Sequence, residues 1–212
     1  MKKKTEFEAL IFDWDGTLAK TLHLWLIGYR EGLQEQQHTF PDSIIARDFF
    51  YEHDKAALKY TSVDFDALVS YARLYIQKHI DLLELYMGVK HTLDSLSDKK
   101  LALVSSSPRS LLEAGLGMNG LTNYFESIIA GDDVSRHKPH PEAFLQTLDA
   151  LGVSGAKTLI VGDAKTDILA GQAAGTKTCF FSAEDNRIFY DFRTPEAWDQ
   201  TMKSIIYLKF SK

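Results

Sequence analysis

The sequence predicts an α/β protein: a parallel, Rossmann-like sheet with helices on both faces and a small all-helical cap domain inserted after the first strand. Three observations lead there. Five short apolar runs, ALIF (9–12), LALV (101–104), SIIA (127–130), TLIV (158–161) and TCFF (178–181), show little polar alternation, as strands buried on both faces do. Helical patterns separate the last four, and alternating strand and helix implies a parallel sheet. From 19 to 87 that alternation gives way to helical periodicity. The expected units are an α/β core of residues 1–18 and 88–212 and a cap of residues 19–87.

Taken in order, the first run leads directly into Asp13-Trp14-Asp15-Gly16-Thr17-Leu18. The insert then offers two helical faces. Leu22, Trp25, Leu26, Tyr29 and Leu33 make the first; Phe65, Leu68, Ala72, Tyr75, Ile76, His79 and Leu83 make the second. Both stripes read as core packing. After LALV, Ser107 is expected to cap a helix with Pro108 in its first turn. Pro141 opens another, with Phe144, Leu148 and Leu151 on one face and Gly152 as its stop. A further helix is expected from 166 to 174, ended by Gly175. Beyond Ser182 the pattern is weak, and Phe189, Tyr190, Phe192 and Trp198 are expected to pack on the core.

Composition narrows the function classes. The chain has 212 residues, 45% hydrophobic and 25% charged, enough to bury a core. Its formal net charge of −5 lacks the basic footprint of a nucleic-acid or membrane-surface partner. No run approaches the roughly 18 apolar residues of a membrane span, and the lysines at 2–4 are followed too soon by Glu6 and Glu8 to read as a secretory leader. The single cysteine, Cys179, lies in an apolar run and reads as inert and buried. A cytoplasmic protein, monomeric or a small homo-oligomer, is expected.

Ligands of open parallel sheets gather at the carboxyl ends of the strands. There the chain places Asp13 and Asp15 after the first strand, Ser105, Ser106 and Ser107 after the second, and Gly162, Asp163 and Asp167 at and beyond the fourth. Lys138 lies before the helix that precedes the fourth strand. Singly, each residue could be a cap or a turn. Together they suit phosphoryl transfer, which needs a nucleophile, neutralisation of phosphate charge and a proton donor for the leaving oxygen. Three acids supply hard oxygen ligands for Mg²⁺. Asp13 could attack phosphorus and Asp15, two residues on, could serve the leaving oxygen. Gly16 and Thr17 at the turn, with Ser105, Ser106 and Lys138, are candidates to bind the phosphoryl group. His137 and His140 bracket Lys138 on a proline-broken segment, a spacing that does not suit zinc.

This set resembles the four motifs of the haloacid dehalogenase-like hydrolases, phosphatase type. Asp13 to Leu18 resembles the first, Val104-Ser105-Ser106 the second, Lys138-Pro139 the third, and Gly162-Asp163 with Asp167 the fourth; Ala170-Gly171 to Ala174-Gly175 resembles the segment that follows. The resemblance implies Asp13 as nucleophile and Asp15 as general acid/base. It implies Mg²⁺ held by Asp13, the Asp15 backbone carbonyl and Asp163, with Asp167 acting directly or through water, and Ser105 and Lys138 on the phosphoryl group. The substrate would be a small phosphorylated metabolite chosen by the cap. An acid at Asp15 implies phosphate-ester chemistry, as hydrolase or as sugar phosphomutase. Relatives often carry an acid where this chain has Lys20, and a mutase would carry a cap histidine where Trp25 stands, with His23 nearby. A receiver-like or regulatory phosphate-binding module stays open at this point. Lys20, His23, Arg30, Arg47, His53 and Lys55 are candidate substrate contacts.

Overall fold

The computed structural model describes residues 7–50, 53–183, 186–190 and 206–209. Strands β1 (Ala9–Phe12), β2 (Lys100–Val104), β3 (Ser127–Ile129), β4 (Thr158–Gly162), β5 (Lys177–Ser182) and β6 (Ile206–Lys209) form one sheet in the order β3-β2-β1-β4-β5-β6. Every neighbouring pair is parallel. The first five strands lie where the apolar runs predict them; β6 is an addition at the edge.

Alternate residues of each strand feed opposite faces. Ile11, Ala102, Val104 and Ile160 join one core cluster with Phe144, Leu148 and Leu151 of α7 (Glu142–Leu151) and Ala170 of α8 (Lys165–Ala173). Phe12, Leu101, Leu103 and Val161 join another with Leu93 of α5 (Val89–Ser95) and Leu112 and Leu116 of α6 (Arg109–Met118). Cys179 is buried on that second face, as expected.

The insert builds its own aromatic core. Helix α1 (Leu22–Glu35) lies along α4 (Phe65–Lys78), and a Cβ on Gly28 would stand 3.0 Å from Ala72 Cα, so the two backbones approach closely. Leu22, Leu26, Tyr29 and Leu33 bury the predicted stripe against Leu68, Ala72 and Phe49. Between them run a short α2 (Asp42–Ile44), a π-helical turn (Ile45–Phe49) and α3 (His53–Lys59). The side chains of His53 and Lys55 lie outside the described residues. The two linkers of the insert pair with each other: Lys20 N–H donates to Glu84 O at 2.8 Å, and Tyr86 N–H to Leu18 O at 3.0 Å.

After β5 the chain makes a single turn of helix, α9 (Arg187–Tyr190). Phe189 is buried, as expected, but in the aromatic core of the insert rather than on the sheet. Phe192 and Trp198 lie outside the described residues. Among the described residues no helix is long and apolar enough to cross a membrane.

Candidate active site

The sheet order puts β1 between β2 and β4, the topological switch point where open α/β sheets form a crevice. Phe12 is level with Leu103 and Val161, so the chain leaves three adjacent strands at nearly one height. Asp13, Ser105 and Asp163 follow those strand ends directly. Asp13 still takes part in the sheet, its N–H donating to Val161 O at 2.9 Å, while its carboxylate is turned to a buried charge cluster.

Lys138 supplies the cation of that cluster. Its Nζ donates to Asp13 Oδ1 at 2.7 Å and Asp167 Oδ1 at 2.6 Å, and its side chain is only 6% exposed. Lys138 is thus a buried, doubly paired cation rather than a solvated surface lysine. Glu142, at the start of α7, anchors the loop that brings Lys138 in: it accepts from Ser135 N–H at 2.8 Å, Ser135 Oγ at 3.0 Å and Arg136 Nε at 3.1 Å. These donors hold its carboxyl down at about 2. Asp167 also accepts from Ala164 N–H through Oδ2 at 3.0 Å, which ties the first turn of α8 to the cluster.

Asp13, Asp163 and Asp167 offer carboxylate oxygens that all lie within 4.8 Å of one another. Three carboxylates against one ammonium leave two formal negative charges in a buried site. Burial, partly offset by Lys138 and reinforced by Asp167 and Asp15, pushes Asp13 up to about 7. Burial and then the charges of Asp13 and Asp167 push Asp163 well above the usual carboxylate range. For Lys138, burial disfavours the ammonium, but the two carboxylates outweigh it and hold the lysine charged. A divalent cation with hard oxygen ligands fits both the donor set and the missing charge.

Gly16 makes room for this arrangement. Its φ is +79°, and a Cβ there would lie 2.4 Å from Asp163 Oδ2 and 2.8 Å from Leu22 Cδ1. The turn around it winds on Trp14 O, which accepts from the N–H groups of Thr17, Leu18 and Ala19. The Trp14 ring is buried against Gly115 of α6. Thr17 Oγ1 stands 3.5 Å from both Asp13 Oδ2 and Asp163 Oδ1.

Asp15 faces a different set of partners. Its Oδ1 accepts from Thr21 Oγ at 2.7 Å and Trp25 Nε1 at 3.0 Å; its Oδ2 accepts from Ser105 Oγ at 3.1 Å and Ser107 Oγ at 2.7 Å. Two donors come from the insert and two from the end of β2. Ser107 is therefore not a helix cap. The N-cap of α6 is Pro108, with no side-chain cap bond, and the Ser107 hydroxyl is spent on Asp15 while its N–H donates to Ser105 Oγ at 3.0 Å. Ser106, expected beside Ser105, is exposed and is not among the donors to Asp15.

Sequence reasoning missed Thr21 and Trp25 as site residues, because a threonine and an aromatic at the start of an amphipathic helix look like a cap and a core stripe. The signal that could have found them is spacing: Thr21 and Trp25 stand at i and i+4, on one face at the end nearest the acidic turn. His140 accepts from Glu142 N–H through Nδ1 at 3.2 Å, so it serves the Lys138 loop. Lys20 is paired with Glu84 at 3.8 Å, and Arg30 with Asp42 at 3.1 Å.

Comparison with known proteins gives the family and the fold. The family model described as haloacid dehalogenase-like hydrolase matches residues 10–181. The pyrophosphatase PpaX of Bacillus pumilus is 32% identical over 182 residues, covering 82% of this chain and 83% of its own. A crystal structure of a candidate phosphoglycolate phosphatase from Lactobacillus plantarum is similar at TM-score 0.76 and 26% identity, over 82% of this chain and 86% of that one. A candidate beta-phosphoglucomutase from Thermotoga maritima is similar at TM-score 0.66 and 25% identity, over 84% and 86%.

Proposed function

Because the chain belongs to the haloacid dehalogenase-like hydrolases, we propose that it is a Mg²⁺-dependent phosphatase that hydrolyses a small phosphorylated metabolite through an aspartyl-phosphate on Asp13. The observation that carries this reading is the division between its two acids. Asp13 lies in the charge cluster with Lys138, Asp163 and Asp167, whereas Asp15 is held apart by four hydroxyl and indole donors.

An Asp13 carboxylate oxygen attacks phosphorus, and the bond from phosphorus to the ester oxygen breaks. The leaving oxygen takes a proton from Asp15. Water then attacks the aspartyl-phosphate and gives its proton to Asp15, which returns Asp13 and releases orthophosphate. Lys138 holds Asp13 in place and adds positive charge beside the phosphoryl oxygens; Ser105 and Thr17 line the same strand ends. Asp13, Asp163, Asp167 and the Asp15 carbonyl are the residues that would hold Mg²⁺, which supplies charge neutralisation at the phosphoryl group.

Residues 19–87 serve in this reading as a cap domain over a core of 1–18 and 88–212, supported by the separate aromatic core of the insert and its paired linkers. A cytoplasmic location belongs to the same reading. Hydrolysis is favoured over mutase chemistry by Trp25. An indole N–H donates to Asp15 but carries no basic nitrogen, so it cannot relay a proton as a histidine there would.

The test is a screen of phosphorylated metabolites with and without Mg²⁺, with inorganic pyrophosphate as a first substrate in view of the name of the PpaX relatives. Multiple turnover that needs Mg²⁺ and disappears in Asp13→Asn is expected. A single phosphorylation without turnover would instead favour a receiver-like module.

A further inference from the structure

The family match ends at residue 181, yet the short segment beyond β5 reaches back into the site. Asn186 is 4% exposed, and its Nδ2 donates to the Gly16 carbonyl at 3.2 Å and to the Tyr86 hydroxyl. Gly16 belongs to the turn that carries Asp15 and cradles Asp163; Tyr86 belongs to the linker that returns from the insert. Three residues on, Phe189 is buried in the insert, its ring 4.9 Å from that of Phe50, with Ile188 against the same cluster. Tyr86 in turn stands edge-on to Phe181 of β5, the ring centroids 5.1 Å apart. One five-residue segment thus grips the acidic turn, a linker and the core of the insert.

The chemistry at Asn186 calls for an amide. A peptide carbonyl and a phenol oxygen both face its nitrogen, and a buried carbonyl without a donor is costly. Gly16 has no side chain by which the turn could be fixed, so its carbonyl is the available handle. Phe189 supplies the other anchor through apolar burial alone.

We propose that Asn186 is a positioning residue for the Asp15–Gly16 turn and that, with Phe189, it makes this segment a strap fastening the helical insert over the site. The role in hydrolysis rests on the phosphatase reading; the fastening does not. Movement of the insert is transmitted through the strap to the carbonyl beside the general acid/base, so insert position and turn geometry are set together.

Hydrogen exchange and kinetics on an alkyl phosphate, whose leaving oxygen needs a proton from Asp15, test this in the full chain. In Asn186→Asp, which keeps the shape but loses the donor, and in Asn186→Ala, the amides of Gly16 to Lys20 and Tyr86 should exchange faster. Turnover should drop about tenfold or more while KM stays within about threefold, the signature of misplacement rather than lost binding. Phe189→Ala should speed exchange in α1 and in the turn at Ile45–Phe49, and Phe189→Leu, which keeps an apolar anchor, should restore the wild-type pattern. Unchanged exchange in the turn in both Asn186 variants would overturn the strap. Faster exchange with unchanged turnover would overturn the positioning role. A wild-type protein inactive on every phosphate ester would overturn the phosphatase reading instead, and the exchange comparison would still decide the strap.

Discussion

Trp25 donates its indole N–H to Asp15 Oδ1 at 3.0 Å, so a helix of the insert holds the carboxylate that the proposed reaction uses to move protons. Thr21 adds a second bond from the same helix end, and Ser105 and Ser107 bind the other oxygen from the core. Asp15 is the point at which insert and core meet around the chemistry.

Trp25→Phe keeps an aromatic side chain on α1 but removes the indole N–H together with its five-membered ring. A hydrogen bond to a charged group contributes about 1.5–3 kcal/mol. The loss should be roughly tenfold or more for alkyl phosphates, whose leaving oxygen needs a proton, and much smaller for p-nitrophenyl phosphate. Comparing kcat/KM across leaving groups checks it; equal losses for both would separate Trp25 from Asp15.

Gly16→Ala is expected to abolish turnover. The left-handed backbone alone disfavours a side chain by about 1–3 kcal/mol, and the new methyl would stand against Asp163 Oδ2. Calorimetric titration with Mg²⁺ should show weakened binding in the folded variant. Wild-type Mg²⁺ affinity would argue that Gly16 does not shape the acid cluster.

The acid cluster predicts a pH-dependent response to metal. In the unfolded chain Asp13 ionises near 3.8, but in the folded, metal-free protein it does so at about 7, and Asp163 moves in the same direction. Between those values the folded state holds protons that the unfolded state has released. Its stability therefore falls as pH rises from about 4 to about 7. Mg²⁺ competes with these protons for the same oxygens. The rise in Tm on adding Mg²⁺ should be larger near pH 8 than near pH 5.5, measured by thermal unfolding of chelator-treated protein. Equal shifts at the two pH values would contradict the site.

Lys138→Ala leaves three buried carboxylates without their ammonium. Activity should fall about a hundredfold or more, and the metal-free variant should lose stability chiefly above about pH 7, where Asp13 must ionise unaided. Activity assays and Tm against pH are the measurements. Wild-type turnover would remove Lys138 from the site.

Much of this was legible in the sequence because burial on both faces writes strands as apolar runs. The runs at 9–12 and 158–161 differ from β1 and β4 by at most one residue. Asp13, Asp163 and Asp167 were legible for a related reason: strand ends converge, so polar residues just past apolar runs meet, whereas Lys138, on the loop before α7, was legible through its Lys138-Pro139 motif. What was hidden depends on long-range geometry. Ser107 before Pro108 has the local pattern of a cap, and only the position of Asp15 across the crevice diverts its hydroxyl. Phe189 reads as a core aromatic, but nothing local says that its core belongs to the insert, more than a hundred positions earlier in the chain. The π-turn at Ile45–Phe49 has no periodic signature of its own, and β6 follows a stretch with weak patterning.

In the proposed reaction Asp13 is the nucleophile. Asp15→Asn should still be phosphorylated by p-nitrophenyl phosphate, whose leaving group needs no proton, but should lose the base that activates water. Rapid acid quench of that variant with Mg²⁺, followed by peptide mapping, should therefore find a phosphoryl group on Asp13 that is absent when Asp13→Asn is added. Phosphate release by Asp13→Asn at the wild-type rate, or a phosphoryl group on any other residue, would contradict it.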